Sequence, residues 1–282
     1  MENVEPMEIG LVFWAEESAE TTLRQLQAFG LRAGQLGVPP TVDCGKGLDD
    51  WKTELAASGV AITSAVCSYA GEDYSNLERV HESVGFTTPN YRTERIARTC
   101  EIARFAHELG ISAVSCHIGF IPADPRETLY TELLELTRVL CDACAEHGQS
   151  FVLETGQESA GVLLGFIADV SRVNLKVNFD PANMILYGSG DPIEALSLLH
   201  EHVLSVHCKD GRSPVSGSGF LGSECALGEG EVDFPAFLGQ LKRMGYRGSL
   251  TIEREEPDLQ QKKADIRTAI TRLKQWKAEA GL

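Results

Sequence analysis

The chain has 282 residues, of which 43% are hydrophobic and 23% charged, and its formal net charge is −16. This composition excludes a disordered chain, and the lack of any run of about 18 apolar residues excludes a transmembrane helix. The excess of acid over base excludes nucleic acid as a partner, because that affinity comes from Lys and Arg neutralising phosphates.

Residues 1–7, MENVEPM, read as an N-terminal tail. They lack the basic start and long apolar core of a secretory signal, so the cytoplasm is the expected compartment. From there, short apolar runs alternate with longer stretches of helical spacing. The runs at 8–13, 33–36, 61–67, 112–117, 151–154, 175–180, 203–208 and 248–253 are predicted strands. Between them apolar residues recur at spacings of three and four, clearest in Leu129, Leu133, Leu136 and Leu140, which predicts one helix after each strand. Gly30, Gly110, Gly148 and Gly245 supply the left-handed residue that ends a helix before the next strand. Eight such units with right-handed crossovers close into one α/β domain over residues 1–282, a (β/α)₈ barrel, a fold that takes about 250 residues.

Two connections, 68–92 and 209–232, are longer than is usual in this architecture. Both leave the C-terminal end of a strand, the catalytic end of such a barrel, and are predicted lids. The eight cysteines are scattered, and Cys141 and Cys144 lie inside a helical pattern with no second pair to complete a zinc site. All are expected to be reduced thiols.

The chemistry is concentrated at four consecutive strand ends. They read FVLETG, LKVNFDPAN, LSVHCKDG and SLTIEREE, and finish in Glu154, Asp180, His207 and Glu253. Strand alternation puts Val152 with Glu154, Asn178 with Asp180, Ser205 with His207 and Thr251 with Glu253 on the face toward the barrel axis. Leu153, Val177, Phe179, Val206 and Ile252 then face the outer helices. Three carboxylates and an imidazole at one height repel one another unless a cation joins them. An oxygen-rich set with one nitrogen suits an octahedral ion such as Mn²⁺ or Mg²⁺. Any one of the four alone reads as a helix cap or a structural side chain; their joint placement points to a metal.

These segments resemble the xylose-isomerase-like TIM-barrel family of sugar isomerases and epimerases, over nearly the whole chain. The resemblance is carried by Glu154 in LETG, Asp180 and Asn183 in FDPAN, His207 in HCKD, the run LGEGEVDF, and Glu253 in IER. It implies one divalent metal held by Glu154, Asp180, His207 and Glu253, with Mn²⁺ first and Mg²⁺, Co²⁺ or Zn²⁺ as alternatives. It also implies that Glu154 and Glu253 act as acid and base on a ketose, a keto-polyol or its phosphate. A metal chelated by a carbonyl oxygen and the adjacent hydroxyl stabilises the enediolate left when the carbon between them loses its proton. Two carboxylates on opposite sides of that carbon can then invert it. Barrels of this family often pair, so a homo-oligomer is expected.

The chain departs from the family's epimerases at Asn183, which stands where His is frequent, and in HCKDG, a form shared with inositol-related and 3-keto-sugar members. A lyase or dehydratase using the same metal is therefore the alternative. A non-catalytic sugar-binding barrel would be recognised by a broken ligand set, and the four positions are intact. The trinuclear zinc site of the more distant endonuclease IV needs more His ligands than this barrel offers. Around the metal, His117, Lys209 and Asn183 are candidates for holding substrate, followed by Arg212, Trp14 and Tyr69. Asp210 is expected to pair with Lys209 or to orient a loop, and Gly228-Glu229-Gly230 to form a turn rather than a phosphate cradle.

Overall fold

The computed structural model describes residues 5–215 and 219–282. Its first half runs β1 (Ile9–Trp14), α1 (Ala19–Gln27), β2 (Ala33–Val38), α2 (Leu48–Ser58), β3 (Ala61–Cys67), α3 (Leu77–Ser83), α4 (Pro89–Glu108), β4 (Ala113–Cys116) and α5 (Thr128–Ala145). The second half runs β5 (Ser150–Glu154), α6 (Ala160–Val170), β6 (Leu175–Phe179), α7 (Pro181–Tyr187), α8 (Pro192–Leu199), β7 (Val203–Cys208), β8 (Asp210–Arg212), β9 (Ser223–Cys225), α9 (Phe234–Arg243), β10 (Leu250–Ile252) and α10 (Leu259–Ala280). A closed barrel forms from the strands in the order β1-β10-β7-β6-β5-β4-β3-β2, with parallel neighbours throughout. The predicted strands all exist, with ends that move by at most two residues.

Strand alternation sorts the side chains as the pattern demands. Phe151, Leu153, Val177, Phe179, Val206 and Ile252 are buried between the barrel and its helices, and each large apolar side chain of this kind contributes about 1.5–3 kcal/mol on burial. The inward faces are polar. Gln35, Ser64, Ser115, Asn178, Ser205 and Thr251 are all buried inside the barrel, where they must hydrogen-bond one another because no water reaches them freely. Ser205 donates to Asn178 Oδ1 at 2.6 Å, Gln35 Nε2 donates to the same oxygen at 3.2 Å, and Ser64 donates to Ser115 at 3.2 Å.

Several local expectations change. Residues 1–4 of the predicted tail lie outside the described residues, while Met7 is buried rather than free. Its N–H donates to the Gly248 carbonyl at 3.1 Å and its own carbonyl accepts from Lys277 Nζ at 2.6 Å, which ties this segment to the residues just before β10 and to α10. The connection after β3 contains the short helix α3, capped by Asn76, and two helices rather than one follow both β3 and β6. After β7 the long segment folds into an antiparallel hairpin, β8 with β9; its residues 216–218 lie outside the described residues. All eight cysteines are free. Among the described residues no helix is long and apolar enough to cross a membrane.

Candidate metal centre

The strand ends that carry Glu154, Asp180, His207 and Glu253 are tied to one another before any ligand is considered. Thr155, next to Glu154, accepts the Asp180 N–H at 2.8 Å and donates to the Asp180 carbonyl at 3.1 Å. Asp180 also caps α7. Its Oδ1 accepts the N–H groups of Ala182 and Asn183 at 2.8 and 3.0 Å, which fixes the side chain so that Oδ2 turns to the barrel axis. Pro181 suits this helix start because its missing N–H is one the first turn would leave unpaired.

The four side chains converge. One potential ligand atom from each lies within 4.8 Å of the others. His207 Nδ1 sits 3.3 Å from Glu154 Oε1, 3.4 Å from Asp180 Oδ2 and 3.2 Å from Glu253 Oε2. On the other side of the ring, His207 Nε2 lies 3.0 Å from Gln35 Oε1, an oxygen that can only accept. A cation on Nδ1 would leave the ring proton on Nε2, where Gln35 Oε1 can accept it, and Nδ1 faces three carboxylate oxygens. Asn178 Nδ2, also 3.0 Å from Nε2, is the donor that the other tautomer would use.

Four lone pairs meeting in a buried place require a cation. Asp180 Oδ2 and His207 Nδ1 are buried without a hydrogen bond of good geometry, which is what a donor set shaped for a metal ion presents. Hard carboxylate oxygens and one imidazole nitrogen fit Mn²⁺ or Mg²⁺. A proton is the competing cation. Burial pushes the His207 pKa down, but Glu154 and Glu253 push it up more strongly, so it stands well above the usual histidine value. Metal and proton would thus contend for Nδ1.

The carboxylates differ in setting. Burial raises Glu154, yet His117 and His207 outweigh it and leave its pKa below the usual range. Glu253 is likewise raised by burial and then carried well below the usual range by Lys209 and His207. Asp180, under the same burial, stays raised despite His207 and Lys209.

A cavity of about 510 Å³ opens above Glu154 and Glu253. His117, Lys209, Asn183 and Trp14 line it, as expected from the sequence. Asn183 Nδ2 donates to Glu154 Oε1 at 2.9 Å, and His117 Nε2 lies 3.6 Å from that same oxygen. Lys209 Nζ bridges Glu253 Oε2 at 3.0 Å and Glu255 Oε1 at 3.1 Å, so it pairs with these rather than with Asp210. Tyr69 and Arg212 do not line the cavity. Tyr69 is buried, with its hydroxyl 2.7 Å from Thr99 Oγ1 and its ring against Phe86, because the chain after β3 turns inward to pack on α4. Arg212 lies on the exposed side of the hairpin, where Nη2 donates to the Glu229 carbonyl at 2.7 Å. Asp210 organises the loop: its carboxylate accepts the N–H groups of Gly211, Gly228, Gly230 and Val232.

Other lining residues escaped the sequence reading. Tyr74, Tyr187 and Phe220 form aromatic wall with Trp14, and Glu224 and Glu255 add acid at the rim. Glu255 had a signal, since it stands two residues beyond Glu253 in the same facing. Gln35 had one too, as the one polar side chain in the strand AGQLGV. Tyr74 and Phe220 sit in irregular segments without periodicity, where no facing can be read.

A family model described as xylose isomerase-like TIM barrel matches residues 23–276. The crystal structure of a xylose isomerase domain protein from Planctomyces limnophilus matches with a TM-score of 0.92 at 38% identity, covering 98% of this chain and 99% of that one. At lower identity the fold alone is shared. A xylose isomerase-like TIM-barrel protein from Mycobacterium smegmatis in complex with magnesium matches at TM-score 0.70 and 17% identity, covering 98% of both chains. An L-ribulose 3-epimerase matches at TM-score 0.68 and 17% identity, covering 97% of this chain and 95% of that one. A curated relative, an uncharacterized protein of Methanocaldococcus jannaschii, is 26% identical over 191 residues; the match takes in 62% of this chain and 63% of the relative's length.

Proposed function

The chain belongs to the xylose isomerase-like TIM-barrel family, and from that premise we propose that it is a divalent-metal-dependent isomerase or epimerase acting on a ketose or keto-polyol. The observation that carries the reading is the approach of Glu154, Asp180 and Glu253 oxygens to the Nδ1 lone pair of His207, at the floor of an aromatic-walled cavity. Those four residues would hold the metal. When bound, it supplies Lewis-acid polarisation of a carbonyl and its neighbouring hydroxyl. The fold's likeness to an L-ribulose 3-epimerase, and to a barrel that contains magnesium, supports the same chemistry.

The chain's own groups do the rest. Glu154 and Glu253 come from β5 and the end of β10, which β6 and β7 separate in the barrel, so they reach the cavity from two sides. Both are held ionised, which readies either to take a proton from the carbon beside the carbonyl. In an isomerisation the carboxyl group so formed returns its proton to the neighbouring carbon; in an epimerisation the counterpart across the cavity must first take a proton from solvent before it can give one to the opposite face, and the first carboxyl then releases its own. Lys209 steadies Glu253, and Asn183 steadies Glu154 through Oε1. His117, beside Glu154, would donate to a substrate hydroxyl. Trp14, Tyr74 and Tyr187 offer apolar faces to the C–H side of a sugar.

The test is hydrogen exchange in D₂O. Protein loaded with Mn²⁺ is incubated with a panel of ketoses and inososes, and deuterium uptake is followed by mass spectrometry with and without chelator. Chelator-sensitive uptake with the carbon skeleton recovered is the expected result. Loss of water or of an aglycone would assign a lyase instead, and no uptake by any member would overturn the proposal.

A further inference from the structure

Phosphate-binding (β/α)₈ barrels commonly hold the phosphate at the loops after the seventh and eighth strands, with a helix N-terminus and backbone N–H groups. In this chain three such devices at that place, among the described residues, already hold an anion of the chain's own. After β7, the N–H groups of Gly211, Gly228, Gly230 and Val232 surround the carboxylate of Asp210 at 2.9, 2.8, 3.0 and 3.2 Å. That is a backbone nest, and Asp210, almost wholly buried, fills it. After β10, the guanidinium of Arg254 is shared among Glu224 at 2.9 Å, Glu256 at 3.0 Å and Asp265 at 2.9 Å. The N-terminus of α10 is capped by Asp258, which accepts from Gln260 and Gln261.

The cavity itself adds no welcome for a dianion. Glu72, Glu154, Glu224, Glu253 and Glu255 line it, Lys209 is the one Lys or Arg among the described lining residues, and Lys209 is already divided between Glu253 and Glu255. With a divalent cation in place the walls remain net negative, and at short range such a field disfavours a phosphate ester. The aromatic wall suits the opposite kind of ligand, a polyol with C–H faces and neutral hydroxyls.

We infer that the substrate of this site is an uncharged ketose or keto-polyol and that its phosphate ester is refused. The inference rests on the metal-dependent proton chemistry proposed above. It is tested with matched pairs offered to the Mn²⁺-loaded protein in D₂O: D-fructose and its 6-phosphate, D-ribulose and D-xylulose and their 5-phosphates, and a 3-keto-glucoside and its 6-phosphate. Deuterium uptake beside the carbonyl is read by mass spectrometry, and kcat/KM is compared within each pair. The expected result is uptake in at least one neutral member, at least tenfold faster than in its phosphate. Equal or faster uptake by the phosphates overturns the inference and leaves the metal-dependent reading standing. Uptake by neither kind overturns both.

Discussion

His207 Nε2 lies 3.0 Å from Gln35 Oε1, across the barrel from a strand 172 residues earlier. Gln35 is the acceptor for the Nε2 proton in the tautomer whose Nδ1 lone pair faces the carboxylates. Partners of this kind, one step removed from the metal, are typically worth 10–100-fold in affinity. Gln35→Leu is expected to weaken Mn²⁺ binding by about that factor, and Gln35→Glu, which keeps an acceptor oxygen, to weaken it less. Titration calorimetry on the folded variants checks this; an unchanged affinity in Gln35→Leu would refute it.

Glu154→Gln and Glu253→Gln keep the shape of the side chain and one acceptor oxygen but cannot take up a proton at neutral pH. Each should retain metal when it is supplied in excess yet lose about 10²–10⁴ in turnover, the usual worth of a general acid or base. Turnover and deuterium uptake at saturating metal are the measurements. Near-parental rates in both variants would leave the glutamates as passive ligands.

Glu158, on the turn between β5 and α6, is a buried carboxyl outside this chemistry. Burial pushes its pKa up to about 8, against opposing backbone hydrogen bonds from Glu158 and Ile121, and Oε2 has no hydrogen-bond partner in the structure. The native state keeps this proton over a range in which the unfolded chain, near the ordinary glutamate value of 4.5, has released it. Stability contributed by this group therefore falls as pH rises between those two values. Glu158→Gln removes the dependence, so the variant's melting temperature relative to the parent should be higher at pH about 8 than at pH about 5. Scanning calorimetry at both values is the check, and a difference that does not change with pH would count against it.

Gly230 closes the nest around Asp210, and a Cβ added there would lie 2.1 Å from Asp210 Oδ1. Gly230→Ala must displace that carboxylate and loosen the hairpin that supplies Leu221, Gly222 and Glu224 to the cavity. The expected cost is about 1–3 kcal/mol of stability, with a raised KM. Denaturant unfolding and steady-state kinetics read both, and an unperturbed variant would show that the nest does not support the site.

Much of this was legible because the barrel's determinants are periodic. Alternation in LKVNF and LSVHC is enough to turn Asp180 and His207 inward once a parallel barrel is assumed, and apolar Phe179 and Val206 outward. What escaped lacks period. The hairpin formed by Asp210–Arg212 and Ser223–Cys225 is held by side-chain-to-backbone bonds of Asp210 that no local propensity announces. The sequence points to Tyr69 rather than Tyr74 as the ring at the cavity, because in the irregular stretch after β3 nothing in it tells which ring turns inward to Thr99 and which toward His117. Arg212 shows the reverse limit: a cation near the site in sequence that the hairpin carries to its outer side.

Binding of one divalent ion by Glu154, Asp180, His207 and Glu253 is open to direct measurement. Its most direct test is titration of chelator-treated, dialysed protein with Mn²⁺, followed by calorimetry and by electron paramagnetic resonance of the free ion, for the parent and for Asp180→Ala and His207→Ala. The account predicts saturable uptake of about one ion per chain in the parent, a rise in melting temperature with it, and loss of both in the two variants. No saturable uptake by the parent, or parental affinity in both variants, would contradict it.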